Sequence, residues 1–266
     1  MRRRTGPQRL RLVISALLVF WLAIPLTPLF VWAATSRWPG ASRLPQDLGL
    51  RGWRESLDAG VIPALARSGL LGATVALIAT PLGVMAGRAL GWRLLRRPAL
   101  PSVALLGPVI LAPYAVAMGL GVVILRLGIP GEVAVVLVLV VFALPYTTFT
   151  MRTTYLSLDP ALEEQARVLG ANSRQARRRV TLPAATTGLV TATGLAFLVG
   201  WSDYAVTLLI GGGQIITAPM LIGSSAAGSG NEALTATLAL SASLPPLVTL
   251  AVIAYAASCR RTAAHS

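Results

Sequence analysis

The sequence predicts an all-α, polytopic membrane protein with six transmembrane helices, and three observations predict it. First, charge-free windows run from Arg11 to Arg37, Arg67 to Arg88, Arg97 to Arg126, Glu132 to Arg152, Arg179 to Asp203 and Glu232 to Arg260. Each holds 19 to 28 uncharged, mostly apolar residues, and about 20 suffice to cross a bilayer as a helix. Second, only 12% of the 266 residues are charged and 55% are hydrophobic, with a mean hydropathy of +0.72. An average globular chain carries roughly 25% charge, so this one cannot cover a soluble surface. Third, all 23 basic residues are arginines set in short patches beside the apolar spans. That arrangement sets membrane orientation, so the net charge of +14 is not read as a nucleic-acid surface.

Orientation follows from counting those arginines. Six crossings put both termini on one side, which then carries 17 arginines against 6 on the other. The positive-inside rule makes the richer side, and both termini, cytoplasmic. Residues 1–11 form an Arg-rich tail that includes Arg2, Arg3, Arg4, Arg9 and Arg11. The apolar run 12–34 exceeds a signal-peptide core and reads as an uncleaved first helix, kinked at Pro25 and Pro28, with Trp21 and Trp32 as interface anchors.

Residues 35–60 are a polar outer segment with Trp38 and Trp53 and room for one short surface helix. Residues 61–257 form the membrane core. Helix two is expected near 64–88, helix three near 101–125, helix four near 133–151, helix five near 184–203 and helix six near 233–257. Prolines 81, 108, 113, 145, 245 and 246 are tolerable inside a bundle that satisfies the freed carbonyls. Gly69, Gly72 and Ala73 in helix two, and Gly188, Ala192 and Gly194 in helix five, suit close packing. Residues 258–266 form a second cytoplasmic tail.

The loop 152–183 is the longest polar stretch on the cytoplasmic side. Asp159-Pro160 reads as a helix start, with Glu163 and Glu164 against the positive dipole end. Leu162, Ala166 and Leu169 share a face, and Gly170 is a natural left-handed terminator. A second short helix starts at Asn172 or Ser173, carries Arg174, Arg177, Arg178 and Arg179, and ends at Leu182-Pro183. The loop is thus either a solvated basic segment that sets topology, or a docking element for a cytoplasmic protein.

Glu164-Gln165-Ala166, three residues, Gly170, nine residues, Val180, one residue, then Leu182-Pro183 resembles the EAA loop of binding-protein-dependent ABC importer permeases. Gln165 stands where the family pattern has Ala, and Val180 where it has Ile. Ala64-Leu-Ala-Arg-Ser68 and Leu106-Gly-Pro-Val-Ile-Leu-Ala-Pro113 are similar to further parts of such permeases, so the resemblance covers about residues 48–257. It implies a MetI-like ABC permease fold in the inner (cytoplasmic) membrane, with 35–60 in the periplasm. It also implies that Glu163, Glu164, Gln165, Ala166, Gly170, Val180, Leu182 and Pro183 belong to a loop coupling the chain to an ABC ATP-binding subunit dimer. That dimer would hold ATP and Mg, leaving no cofactor in this chain. A second permease, identical or related, and a periplasmic substrate-binding protein are the other implied partners.

Trp201-Ser202-Asp203-Tyr204, then Gly211-Gly212-Gly213, then Thr217-Ala218-Pro219 looks like one branch of that family, which carries polyamines, ferric iron, thiamine or phosphonates. Polyamine is the favoured cargo. Six glycines and no charge in 211–230 rule out one continuous helix, and irregular backbone at membrane depth must be buried or line a cavity. Asp203, Tyr204, Gly211, Gly212, Thr217 and Pro219 are therefore candidate pathway or gate residues. Asp203 either lies on a cation pathway, or sits at the outer interface, capping helix five or pairing with Arg126.

The functions left are few. The chain has no Lys and so no phosphate-loop lysine, which removes an ATPase. One cysteine, Cys259, and one histidine, His265, leave no disulfide, His-based metal site or triad. No catalytic residue or metal ligand is assigned, and no enzyme activity is expected. The leading expectation is a permease subunit forming half of a translocation pathway, with an ion-coupled secondary transporter using Asp203 as the alternative.

Overall fold

The computed structural model describes residues 6–38, 46–111 and 113–263. Arg2, Arg3, Arg4, Arg43, Ala112 and His265, and with them parts of both expected tails, lie outside the described residues. In chain order the elements are α1 (Gly6–Ala23), a 3-10 turn (Ile24–Leu26), α2 (Thr27–Ala33), β1 (Thr35–Arg37), β2 (Asp47–Leu48) and α3 (Arg51–Asp58). There follow α4 (Val61–Gly91), α5 (Ala99–Ile110), α6 (Pro113–Leu127), α7 (Gly131–Leu156), α8 (Ala161–Val168) and α9 (Ser173–Ala176). A π-turn (Arg177–Thr181) leads to α10 (Leu182–Ala184), α11 (Thr186–Trp201), α12 (Ala205–Gly211), α13 (Ala218–Ala226) and α14 (Glu232–Ala263).

Among the described residues, three helices are long and apolar enough to cross a membrane: Val61–Gly91, Gly131–Leu156 and Glu232–Ser258. The count rises to five if each of two bent pairs is one span. Helix three is such a pair, with Ala99–Ile110 and Tyr114–Ile124 bent by 102°. In place of the one continuous helix expected at 101–125 there are two, α5 and α6. Leu111, at the end of the first helix, is extended at ψ 140°, and Pro113 opens the second at the first helical position, where its missing N–H would be unsatisfied anyway. The run 12–34 is also interrupted, by the 3-10 turn holding Pro25. Helix four is longer than expected, and residues 152–156, assigned to the loop, are its last turn.

The structure divides into two compact units. The first comprises Met1–Ile62 and Leu221–Ser243. Here the outer segment holds the expected surface helix, α3, and also an antiparallel strand pair, with Thr35 opposite Leu48 and Arg37 opposite Asp47. That pair is a small departure from an all-α fold. Trp32 and Trp38 stack at 4.4 Å between ring centroids. A Cβ on Gly52 would lie 2.6 Å from the Ala233 carbonyl oxygen, and the Thr237 hydroxyl donates to the Gly52 carbonyl at 3.0 Å, so α3 lies directly against the start of α14.

The second unit comprises Pro63–Met220 and Leu244–Ser266. Its centre is α7, packed against α4, α6, α11 and α12 through Val75, Ala79, Val135, Val138, Leu139, Ala196 and Val206. Gly83, Gly87 and Gly91 recur every fourth residue along α4. Cβ atoms there would fall 2.3 to 2.7 Å from Thr147, Met151 and Tyr155, which recur every fourth residue along α7. The two backbones meet along this stripe, the close approach that small residues permit in membrane helices. The Thr147 hydroxyl bridges to the Ala79 carbonyl across the seam. Of the six small residues picked from sequence, Gly188 faces Thr154 on α7, while Gly194 faces Ile253 on α14.

Candidate functional site

The loop between α7 and α11 folds as two short helical limbs around a bend. Asp159 Oδ1 accepts the Ala161 N–H at 2.9 Å, a side-chain cap at the start of α8. The helix ends as the glycine signal requires: Gly170 sits at φ +89°, its N–H donates to the Arg167 carbonyl, and the Ala171 N–H donates to Ala166. These two bonds form the Schellman closure. No atom lies within 4 Å of a Cβ on Gly170, so backbone conformation selects glycine here. Asn172 and Gln175 then exchange side-chain-to-backbone bonds in a capping box that opens α9.

The second limb ends within one residue of the expected Leu182-Pro183. It widens into the π-turn and runs on to Ala184, and the Ser173–Ala184 stretch meets α11 at 77°. Proline 183 has no N–H to donate and its ring needs room at the preceding turn, which a widened turn supplies.

Sequence reasoning names Glu163 as a loop residue but misses that it holds the loop in place. Glu163 is 3% exposed and binds two other segments as well as its own helix. Arg88 Nη2, at the end of α4, donates to Oε2 at 2.6 Å. Thr181 Oγ1, in the π-turn, donates to Oε1 at 2.6 Å, and Arg167 on α8 itself lies 3.4 Å from Oε2. The Arg88 guanidinium also stands 4.7 Å over the Trp92 ring. Trp92 packs edge-on against Tyr155 and donates its indole N–H to the Tyr155 carbonyl at 3.0 Å. The loop is thus fastened to the last turns of α4 and α7. The only sequence signal for this was an acidic residue on an Arg-rich side; its partner lies 75 residues away.

The other loop residues divide by face. Glu164, Gln165 and Gly170 are exposed, Ala166, Val180 and Leu182 are half-buried, and Pro183 is exposed. Leu162 is exposed, and Val168 and Leu169 are each 87% exposed. Two neighbouring glutamates therefore point to different environments: Glu163 into the protein, Glu164 out of it.

In the candidate gate segment, Asp203 caps the helix that follows it. Its carboxylate accepts the Val206 N–H at 3.3 Å, and the Thr207 N–H and hydroxyl at 2.8 Å each. Helix α12 ends on left-handed Gly212, and Gly213 is left-handed as well. The Ala218 N–H donates to the Ser68 hydroxyl at 2.8 Å, tying the start of α13 to α4. Thr217 is buried, with no partner for its hydroxyl among the described residues. Tyr204 and Pro219 are half-buried and Gly211 is buried. A separate recess of about 990 Å³ is walled by α4, α11 and α14, including Thr80, Thr193, Phe197 and Thr249, with Arg177 and Leu182 at its rim. None of the six gate candidates lines it.

Comparison with known proteins places this geometry. The family described as binding-protein-dependent transport system inner membrane component matches residues 6–264. The chain is 31% identical over 191 residues to the trehalose transport system permease protein SugB of Mycobacterium tuberculosis, covering 67% of this chain and 66% of that protein. It is 34% identical over 67 residues to the diacetylchitobiose uptake system permease protein DasC of Streptomyces coelicolor, covering 25% of this chain and 24% of that protein. The matched stretches thus span less than two thirds of these relatives. The fold is similar, with a TM-score of 0.67 and 17% identity over 96% of this chain and 99% of the other, to a chain of a bacterial ABC transporter involved in the import of the acidic polysaccharide alginate. An integral-membrane helical fold and a family match over nearly the whole length make this chain a member of the binding-protein-dependent transport system inner membrane components, the permease family of ABC importers.

Proposed function

We propose that this chain is the subunit that forms half of a carbohydrate translocation pathway and is driven through its α8–α10 loop by a partner ATP-binding subunit dimer. The observation that carries this reading is the division of α8 into two faces. One is anchored inward by Glu163, and the other offers Glu164, Gln165, Val168 and Leu169 to solvent. An amphipathic helix whose apolar and acidic face has no partner among the described residues fits a groove on another protein. ATP and Mg belong to that partner. A second permease completes the pore, with the α4–α11–α14 recess as this chain's contribution, and a periplasmic binding protein delivers cargo. Six crossings with both termini cytoplasmic, in the inner membrane, complete the arrangement.

Carbohydrate replaces polyamine as the favoured cargo for two reasons. Two relatives are named for trehalose and diacetylchitobiose transport. In addition, the one carboxylate behind the polyamine reading, Asp203, has both oxygens engaged in capping α12. Segment 203–219 retains a gate role in this reading, through its glycine break and not through its charge. The capping geometry also leaves the ion-coupled alternative without its coupling group.

The test is a mild-detergent purification of tagged chain from native membranes, with co-purifying proteins identified by mass spectrometry. An ATPase with a phosphate loop and a second permease are the expected companions. The co-purified binding protein is then screened for melting shifts with trehalose and chitobiose against spermidine, thiamine, ferric iron and phosphonates. Recovery of the chain alone would overturn the subunit reading, and a shift with spermidine only would overturn the carbohydrate one.

A further inference from the structure

We propose that Glu163 and Arg88 form a rigid strut that makes the α8–α10 loop and the transmembrane helix α4 move as one body. The inference rests on the docking reading above, and it assigns a positioning role to two residues outside the exposed docking face. The geometry points to a strut because one carboxylate closes three connections at once. Oε2 takes Arg88 from α4, and Oε1 takes Thr181 from the second limb, 18 residues away. Both limbs of the loop are thereby locked to each other and to α4. Arg88 is itself held against Trp92, which is hydrogen-bonded to the end of α7. On both sides of Arg88, the Gly83–Gly87–Gly91 stripe lets α4 contact α7 backbone-to-backbone, leaving little slack between them. Close-packed interfaces shift between discrete arrangements and do not deform continuously. A push on α8 is therefore transmitted to α4 as displacement instead of being absorbed in the loop.

The strut makes a prediction about distances that needs no knowledge of the cargo. The probes are nitroxide spin labels at Arg174→Cys in the loop and Leu77→Cys on the exposed side of α4, in a Cys259→Ser chain. They are read by pulsed electron resonance in the purified complex with its ATPase, without nucleotide and after trapping with ATP and vanadate. With the strut intact, the 77–174 distance stays the same in both states. In Glu163→Gln, which removes the charge facing Arg88 but keeps an oxygen for Thr181, the distance shifts or spreads by about 2 Å or more on trapping, the scale of helix shifts in switching transitions. A wild-type distance that itself moves on trapping would overturn the strut, as would an unchanged distance in Glu163→Gln. If Glu163→Gln does not assemble, Thr181→Val takes its place with the same two outcomes. Failure of the ATPase to co-purify with wild-type chain would instead overturn the docking reading, so the two failures are told apart.

Discussion

The carboxylates of Glu163 and Asp203 are used in opposite ways. Glu163 binds residues 4, 18 and 75 positions away, so it fastens one part of the fold to another. Among the described residues Asp203 binds Val206 and Thr207, within four residues of itself, so it shapes one short helix. The first region reads as a machine part and the second as local architecture, although sequence suggested the reverse emphasis. A carboxylate near an apolar span attracts a functional reading through its cost, but its bonds decide what it does.

The comparison breaks most visibly at Glu163. Glu163→Ala leaves Arg88 without its buried counter-charge and should cost about 3–5 kcal/mol, the range for removing one partner of a buried pair. This is measured as a loss of detergent-solubilised stability. Gly87→Leu tests the seam above the strut. A side chain there meets Met151 Cβ at 2.5 Å and the Arg152 backbone at 2.8 Å, so overpacking should cost about 2–3 kcal/mol in the same assay. Gly170→Val forces a branched residue to φ +89°, at roughly 1–2 kcal/mol, and should reduce transport while the chain still inserts. Asp203→Ala removes a helix cap for about 1 kcal/mol. Asp203→Asn keeps one accepting oxygen for Thr207 but loses the acceptor for the Val206 N–H, so its stability should fall between wild type and Asp203→Ala while its transport matches wild type. Lost transport in a fully assembled Asp203→Asn complex would return Asp203 to the pathway and undo the contrast with Glu163.

Much of the loop was legible in sequence because its signals are local. Asp159-Pro160, Gly170 and Asn172 act on backbone within a few residues of themselves, and each is found performing the capping or bending its chemistry allows. The Glu163–Arg88 contact was illegible because nothing local distinguishes an arginine that orients a helix from one that receives a buried carboxylate. The glycine stripe of α4 is within reach of sequence, since a small residue every fourth position is a packing signature; Gly69 and Gly72, on the same helix, pack instead against Trp201 and Phe197. The break in helix three is not legible from its prolines as a group: Pro108 is carried inside α5, and the chain parts only at the extended Leu111, before the helix that Pro113 opens.

The docking claim is tested most directly by a photo-reactive amino acid placed at Val168, on the exposed face of α8, in membranes that hold the complete transporter. The account predicts an ultraviolet-dependent adduct between this chain and the ATP-binding subunit. Adducts to lipid alone, in a preparation from which that ATPase still co-purifies, would contradict it.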